Sequence, residues 1–340
     1  PNYVLMEMFM RKILLASTAL VAVAGVSAAS AEISLSGNTA FGYHSWSDDT
    51  TDDATAGDNN NAFLNDTDLG ASWSTTTDSG LAISVSYDID ADESGATITG
   101  DWGNIVWSDG NDAQEVGQGD ADPITTFNTG THTASYDGAE AINGGQIAYT
   151  NSISGIEFGL GMTNGGATSL ADETSWGVSY SAEIAGGASV TLGYAGAKTG
   201  YDNTSAEGLD STNSSLNGSV AIGDLTLYVA SNTSKVTRHD DNATGTNFTD
   251  YKSNNFGVSY AVSDSLSVHA HSRAATGTET ASNAAATDYK YDLNVYGVDY
   301  TIASGVALTA SYSDYTESGG GVTTDDISGT ATTIRLKVSF

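Results

Sequence analysis

The sequence has no cysteine, and it has only two prolines in 340 residues, one of them Pro1. Without cysteine, neither disulfides nor thiolate metal centres can hold the chain together, although an exported protein could have used disulfides. The scarcity of proline removes an obstacle to long β-strands, because proline cannot donate to a strand ladder. Glycine, serine, threonine, aspartate, asparagine and tyrosine are abundant instead, and this composition is typical of many strands joined by polar loops.

Basic residues are also scarce. Lys and Arg together number 10 against 42 Asp and Glu, which gives a formal charge of −32 at pH 7. A chain with this charge does not bind nucleic acid by releasing counterions from phosphates, so nucleic-acid partners are excluded. High charge with low hydrophobicity also occurs in disordered chains. The regular alternation described below favours an ordered protein.

Long apolar runs are confined to the first residues of the chain. Nothing after Ala31 approaches 18 consecutive apolar residues, which excludes a helical membrane protein. Before it, Arg11 and Lys12 precede an apolar run from Ile13 to Val26, and Ala29-Ser30-Ala31 has the form of a cleavage site. This pattern predicts an exported protein with a signal peptide.

The predicted organisation of the chain follows from that signal. We interpret residues 1–9 as an upstream translation artefact and residues 10–31 as the signal peptide. Residues 32–340 then form a single domain.

Alternating apolar and polar residues dominate this domain. Leu81 to Ile89 is the clearest case, with Leu, Ile, Val, Tyr and Ile on one face and Ala, Ser, Ser and Asp on the other. A tilted membrane strand needs about 9 to 11 such residues. The fold class predicted is all-β, a transmembrane antiparallel β-barrel of 16 strands. The predicted strands comprise residues 32–44, 62–73, 81–89, 96–102, 104–108, 145–151, 156–162, 173–182, 188–195, 214–222, 225–232, 253–262, 265–274, 289–302, 305–313 and 327–340.

The connections between these segments distinguish a barrel from a soluble sandwich, which alternation alone cannot do. Every second connection is a tight turn such as Gly223-Asp224, whereas the others are mostly long polar stretches such as 45–61, 196–213 and 233–252. Long loops at one end and short turns at the other are typical of an outer-membrane barrel.

The last strand and three repeated hairpins point the same way. Residues 327–340 alternate and end on Phe340, as expected of a strand that pairs with the first strand and leaves no edge. Trp176 to Tyr180, Phe256 to Tyr260 and Tyr296 to Tyr300 share the form aromatic-Gly-Val-x-Tyr before a short turn. This recurrence predicts outward aromatics at one height, in a girdle near the periplasmic turns.

Several features together resemble one family. They are the Glu-Ile-Ser-Leu-Ser-Gly-Asn start at Glu32, the segment Gly100 to Asp109, the repeated hairpins and the terminal Phe340. Together they are similar to those of the general-diffusion porins of Gram-negative bacteria, in their alphaproteobacterial branch. The resemblance implies an outer-membrane homotrimer of sixteen-stranded barrels, each a passive channel for small hydrophilic solutes and ions. Implied partners are outer-membrane lipid, lipopolysaccharide and, through the C-terminal strand, the barrel-assembly machinery.

The family also implies that the third long loop folds into the pore. This loop maps to residues 108–144, far longer than most loops, and it contains no Lys or Arg. From the residues alone it could equally be a solvated acidic surface loop, and the resemblance favours a pore constriction. The acidic residues of the loop are Asp109, Asp112, Glu115, Asp120, Asp122, Asp137 and Glu140.

The pore wall is predicted from residues on the polar faces of the strands. The carboxylates on these faces, added to those of the third loop, predict a cation-preferring pore. The first five strands contain no Lys or Arg. Such porins commonly set a basic cluster opposite the loop, so this departure argues against a strong transverse field. The predicted wall residues are Asp66, Asp68, Asp88, Glu157, His269, His271, Arg273, Lys290, Arg335 and Lys337.

Catalytic and metal-binding alternatives remain open at this stage. No G-x-S-x-G, H-E-x-x-H or P-loop motif occurs, and we expect no enzyme activity and no cofactor. His269, His271 and Arg273 share one strand face and could instead bind a metal or serve as acid and base in an outer-membrane enzyme. A secreted calcium-binding surface protein or adhesin is a further alternative. Acidic clusters that offer calcium ligands without EF-hand spacing are Asp48, Asp49, Asp52, Asp53 and Asp58, and Asp240 and Asp241.

Overall fold

A computed structural model shows a closed barrel of sixteen antiparallel strands. No helix within the part of the chain that it describes has the length and apolar character needed to cross a bilayer. The closed sheet of sixteen strands confirms the predicted all-β barrel and its strand number. The structure describes residues 32–48, 61–89, 93–108, 147–163, 172–184, 186–200, 209–238, 246–281, 287–319 and 327–340.

The strands follow one another around the barrel in sequence order. Their bounds are β1 Glu32–Asp48, β2 Asn61–Thr76, β3 Ala82–Asp88, β4 Glu93–Gly100, β5 Gly103–Ser108, β6 Ile147–Ile153, β7 Ile156–Thr163, β8 Asp172–Ile184, β9 Ala188–Gly200, β10 Leu209–Ile222, β11 Leu225–Arg238, β12 Thr246–Ser263, β13 Leu266–Ala281, β14 Thr287–Ala303, β15 Val306–Gly319 and β16 Ile327–Ser339.

The first and last strands close the barrel. β1 pairs with β16 in one continuous register, from Asn38 opposite Ser339 to Asp48 opposite Gly329. Beyond the end of β16, the Phe340 N–H donates to the Gly37 carbonyl at 2.9 Å, and the Gly37 N–H donates to the Phe340 carbonyl at 3.2 Å. The predicted closure by the terminal strand is therefore confirmed, and it leaves no unpaired edge at the seam.

Several strands extend beyond their predicted ends on the side of the long loops. β12 was expected to begin at 253 and begins at Thr246, and β13 was expected to end at 274 and ends at Ala281. Both faces of these extensions are largely polar, so apolar alternation cannot reveal them. The backbone hydrogen bonds of the ladder nevertheless continue, because they do not depend on side-chain hydropathy.

The opposite end of the barrel carries short turns. At the β6–β7 turn, Ser154 and Gly155 both have positive φ, 54° and 81°, as a two-residue hairpin requires to match the twist of its strands. The β10–β11 turn at Gly223 and Asp224 is equally short. The predicted alternation of short and long connections is confirmed, except that β3 and β4 are joined by the short segment 89–92.

The outer surface carries the large apolar side chains. Leu160 and Met162 are each 57% exposed, whereas the intervening face of β7 carries the small residues Gly159 and Gly161. Tyr180, Tyr260 and Tyr300 point outward and stand opposite the first residue of a neighbouring strand, Ile156, Leu225 and Leu266 respectively. These tyrosines therefore lie at one height beside the short turns, as the hairpin repeat predicted.

Candidate functional site

The inner face of the barrel surrounds the lumen. Directly paired residues on neighbouring strands point to the same side of a sheet, so the register places each side chain. Ala40 pairs with Asp66 and Asn38 with Asp68, on the face opposite to the outward Phe41. Both aspartates therefore face the lumen, where the sequence predicted them.

Two further predicted carboxylates also face the lumen. Asp88 pairs with Gly70, two residues along β2 from Asp68 on the same face. Glu157 pairs with Ser179, whose hydroxyl donates to Glu157 Oε2 at 3.4 Å. These two side chains extend the acidic wall from β2 to β7.

Closure of the barrel places a cation beside one of these carboxylates. Arg335 Nη2 lies 3.3 Å from Asp66 Oδ2, so the pair links β16 to β2 across β1. On β1, Gly42 pairs with Arg335 and the next inward residue, Ala40, pairs with Asp66. A Cβ at Gly42 would lie 2.9 Å from the Arg335 Cγ. The absence of a side chain at Gly42 therefore gives the arginine room to reach Asp66. The ion pair compensates part of the Asp66 charge.

This ion pair leads to a prediction about two neighbouring aspartates. Asp66→Asn should change the ion selectivity of the lumen less than Asp68→Asn, because Asp66 is already paired with Arg335 whereas Asp68 has no such cation beside it among the described residues. Arg335→Gln should raise cation preference, because it exposes the Asp66 charge. Zero-current potentials of the three variants in a salt gradient measure this order. Equal shifts for both aspartate variants would contradict it.

His269 lies in a small polar cluster on the inner face. Its Nε2 lies 2.7 Å from Asp299 Oδ2 and 3.1 Å from the Ser267 hydroxyl. A catalytic triad instead uses the two ring nitrogens separately, one for the nucleophile and one for the carboxylate. Because both partners contact the same nitrogen, the cluster does not have the geometry of a triad.

His271 and Arg273 continue the same inner face, and both are buried. Arg273 Nε donates to Asn255 Oδ1 at 3.0 Å, between the paired strands β12 and β13. No three His, Asp or Glu side chains come together as a metal site within the described ranges. The metal-binding alternative for these histidines therefore gains no support from the geometry.

Lys290 does not line the pore, so this prediction was wrong. The residue is exposed and alternates with Tyr289 and Tyr291, which are buried on the inner face. Pairing of β14 with β13 runs without a shift from Tyr289 to Tyr300, so Lys290 shares the outward face of Tyr296. A residue six positions from an outward tyrosine must also point outward, since the strand period is two.

An aromatic cluster on the inner face is the main feature that sequence reasoning missed. It joins Tyr251, Tyr289, Tyr291 and Tyr315 to Leu293 and Val295 on β12 to β15, and the Tyr291 and Tyr315 rings lie 6.3 Å apart and nearly parallel. Lumens of such barrels are normally polar. The alternation of Tyr289 and Tyr291 with Lys290 and Asp292 could have revealed it, had aromatics not been expected to point outward.

Sequence reasoning also missed three inward carboxylates, and some of the predicted acidic residues lie outside the described part of the chain. The inner face carries Glu173, Asp299 and Glu317 in addition to the predicted carboxylates. Lys337 points to the lumen, where the sequence predicted it. Outside the described residues lie both acidic clusters, except for Asp48 at the end of β1, and the predicted constriction residues Asp109, Asp112, Glu115, Asp120, Asp122, Asp137 and Glu140.

The inner wall formed by β1 to β5 is lined by small side chains. A recess of about 430 Å³ lies against β1 to β5, bordered by residues that include Ser36, Gly70, Ser72, Ser86 and Asp88. Because these side chains are small, the wall leaves open volume where Asp88 can meet a passing solute.

Comparison with solved structures supports the fold. OmpT, an outer membrane protein of Vibrio cholerae, superposes with a TM-score of 0.65 at 13% identity, covering 91% of this chain and 98% of its own. The anion-selective porin from Comamonas acidovorans gives 0.58 at 16% identity, with 91% and 100% coverage. A trimer form of in-vitro folded OmpT gives 0.63 at 14% identity, with 91% and 99% coverage.

Comparison of sequences identifies the family. A search of curated proteins found no match. Residues 16–321 match the Gram-negative porin family, which is most of the chain. The strand order, the apolar outer face and the polar wall of β2 to β7 agree with that match. The chain therefore belongs to the Gram-negative porin family, as an outer-membrane porin for passive diffusion.

Proposed function

We propose that this porin is a passive, cation-preferring channel and not an enzyme. The excess of carboxylates over cations on the inner face supports the proposal. Among the Lys and Arg residues whose side chains the structure describes, Arg273 is buried, Arg335 is paired with Asp66, and Lys337 is the remaining one that points to the lumen. Inward-pointing carboxylates include Asp66, Asp68, Asp88, Glu157, Glu173, Asp299 and Glu317.

An acidic wall around water attracts cations and repels anions. The field of fixed charges concentrates counter-ions within roughly one Debye length, about 30 Å at 0.01 M salt and about 3 Å at 1 M. Cation preference should therefore be strong at low salt and fade as salt rises. The relative from Comamonas acidovorans is anion-selective, and at 16% identity its likeness concerns the fold alone.

The third loop is proposed to constrict the pore. It connects β5 to β6, and β6 pairs with β7, the strand that carries Glu157. Its length and its seven carboxylates, without any Lys or Arg, support a position in which it narrows the lumen and adds to the cation preference. A loop held outside in solvent would add little to selectivity at moderate salt, because charges beyond a Debye length are screened.

The assembly proposed for the chain is a homotrimer. Membership of the porin family and the trimer form of OmpT support it. Insertion through the barrel-assembly machinery, with β16 as the recognised strand, is part of the same proposal. The alphaproteobacterial branch of the family stays a prediction.

Reversal potentials across a planar bilayer test the channel and its selectivity together. The purified trimer should insert with stepwise conductance, and a potassium chloride gradient should give a potential of the sign expected for K⁺ preference. Bound calcium would neutralise carboxylates and leave a nearly unselective pore, so the measurement is repeated with a chelator. Absence of channels would overturn the porin function, and anion preference under both conditions would overturn the proposed charge of the lumen.

A further inference from the structure

The recess against β1 to β5 contains two inward glycines that the backbone conformation does not require. Gly70 on β2 pairs with Asp88, and Gly95 on β4 pairs with Ser86, so both glycines share the inward face of β3. Neither glycine has a positive φ, and both pairings with β3 run without a bulge. Glycine weakens a regular strand relative to alanine, and it often marks a place that a ligand approaches closely.

The space over each glycine is bounded by a serine hydroxyl. A Cβ added at Gly70 would have the Ser36 Oγ as its nearest neighbour, at 3.3 Å, and a Cβ added at Gly95 would have the Ser86 Oγ, at 3.0 Å. A serine hydroxyl can rotate away, so alanine would fit at both positions. Contacts between strands therefore do not account for the two glycines. Their missing side chains leave the recess of about 430 Å³ open to the lumen.

The polar side chains that border the recess offer hydroxyls and one carboxylate. Hydroxyls come from residues that include Ser36, Ser72, Ser86 and Thr97, and the carboxylate is that of Asp88. Each hydroxyl can donate one hydrogen bond and accept others, whereas a carboxylate only accepts. The described residues that border the recess include no Lys, Arg or His. These groups suit a solute that carries several hydroxyls and one positive charge.

The recess faces the open side of the lumen. Ser86 is exposed and Asp88 is half-buried, whereas the inward Ser253 and Val295, on strands across the barrel, are each 0% exposed. A solute in the lumen therefore passes along the wall of β1 to β5. The volume of the recess is within the range of about 300 to 1,000 Å³ that is usual for small-molecule sites, so one sugar ring has room there.

We propose that the recess is a solute subsite for an amino sugar or a similar small polyol with one ammonium group. The ammonium group contacts the Asp88 carboxylate, and the solute hydroxyls exchange hydrogen bonds with the hydroxyls around it. A neutral sugar makes the second kind of contact alone, and an alkyl amine makes the first kind alone. The inference rests on the proposed channel function and deepens it, because it names a class of solute that the lumen retains.

Current recordings from single channels in a planar bilayer test the proposal with three ring-shaped probes. Glucosamine, protonated at mildly acidic pH, carries both hydroxyls and charge. N-acetylglucosamine lacks the charge, and cyclohexylammonium lacks the hydroxyls. A chelator keeps divalent cations away from the carboxylates. We expect glucosamine to halve the ion current at a concentration about tenfold below that of either other probe, because a hydrogen-bonded charge contact is worth roughly that factor.

Gly70→Ala combined with Gly95→Ala fills the recess without changing any charge. The half-blocking concentration of glucosamine should rise about tenfold in this double variant, because the solute loses its close approach to the hydroxyls and to Asp88. Ser84→Ala is the matched control. Ser84 is exposed on the lumen side of β3, one inward position from Ser86, and does not border the recess. Its variant should stay within about twofold of the wild type.

Three results would overturn the subsite. Equal blocking by glucosamine and cyclohexylammonium would show that the charge of the lumen alone attracts the solute. Equal blocking by glucosamine and N-acetylglucosamine would remove the role of the carboxylate, and an unchanged double variant would place the block elsewhere in the lumen. The first two comparisons use wild-type protein, so they decide the question even if a variant folds poorly. Absence of channels would instead overturn the proposed function.

Discussion

Val85→Arg is expected to destabilise the membrane-inserted barrel, with the free energy of unfolding falling by about 2 to 4 kcal/mol. Val85 lies on the outward face of β3, opposite Trp73 of β2 and Ala96 of β4. It is also the middle one of the five outward residues between Leu81 and Ile89, near the midplane of the apolar band. An arginine there would place its guanidinium in hydrocarbon, where no protein carboxylate can pair with it. Folding yield in lipid vesicles, followed by the heat-dependent shift of the barrel on gels, measures the loss.

Ser84→Arg is the matched control for this change. Ser84 is the neighbouring residue in β3 and is exposed on the lumen side, where it pairs with Ser74 and Thr97. The same charge is added to the same strand, but water surrounds it. We expect Ser84→Arg to fold like the wild type, and equal yields for the two variants would show that the faces of β3 are assigned wrongly.

Deletion of Phe340 should reduce the assembled barrel severalfold or more. The deletion removes both backbone hydrogen bonds to Gly37, worth about 1 kcal/mol each. The lost ring packs over Gly37, where an added Cβ would lie 2.6 Å from the Phe340 Cζ. Quantification of the heat-resistant oligomer in isolated outer membranes measures the effect.

Substitutions at Phe340 separate the contributions of backbone and ring. Phe340→Tyr keeps both and should assemble almost normally, because an aromatic with a polar tip suits the membrane interface. Phe340→Ala keeps the backbone pair but loses the ring, and its yield should lie between those of Phe340→Tyr and the deletion. If the deletion accumulates as much oligomer as the wild type, pairing at the seam does not depend on this residue.

The outward and inward faces of the strands and the order of the strands were predictable, because both depend on local sequence. The alternation of Leu81 to Ile89, the aromatic-Gly-Val-x-Tyr hairpins and the turn at Gly223 each extend over a few residues. Period-two alternation identifies the buried or lipid-facing side, and short turns force neighbouring strands to pair. The strand extension from 253 back to Thr246 escaped notice because both of its faces are polar and leave no alternation to read.

The residues that line the lumen were harder to predict, because a wall in contact with water accepts many residue types at each position. Tyr289 and Tyr291 face inward, although aromatic side chains were expected to contact lipid. These tyrosines lie above the apolar band, where no lipid chains contact the outer wall, so burial in lipid does not favour the outward face. Lys290 was misplaced for the same reason. The alternation rule itself was sufficient at this strand, and it gives the outward position when it is counted from Tyr296.

By itself, the sequence determined the β-barrel, its sixteen strands, the lipid-facing residues and an acidic lumen, because these follow from composition and from a period of two along each strand. The tertiary structure decided which charges meet. Arg335 on β16 reaches Asp66 on β2 only because closure brings these distant strands close together. Closure also fixes which residues of β1 and β16 stand opposite each other, and no local pattern in either strand specifies this pairing.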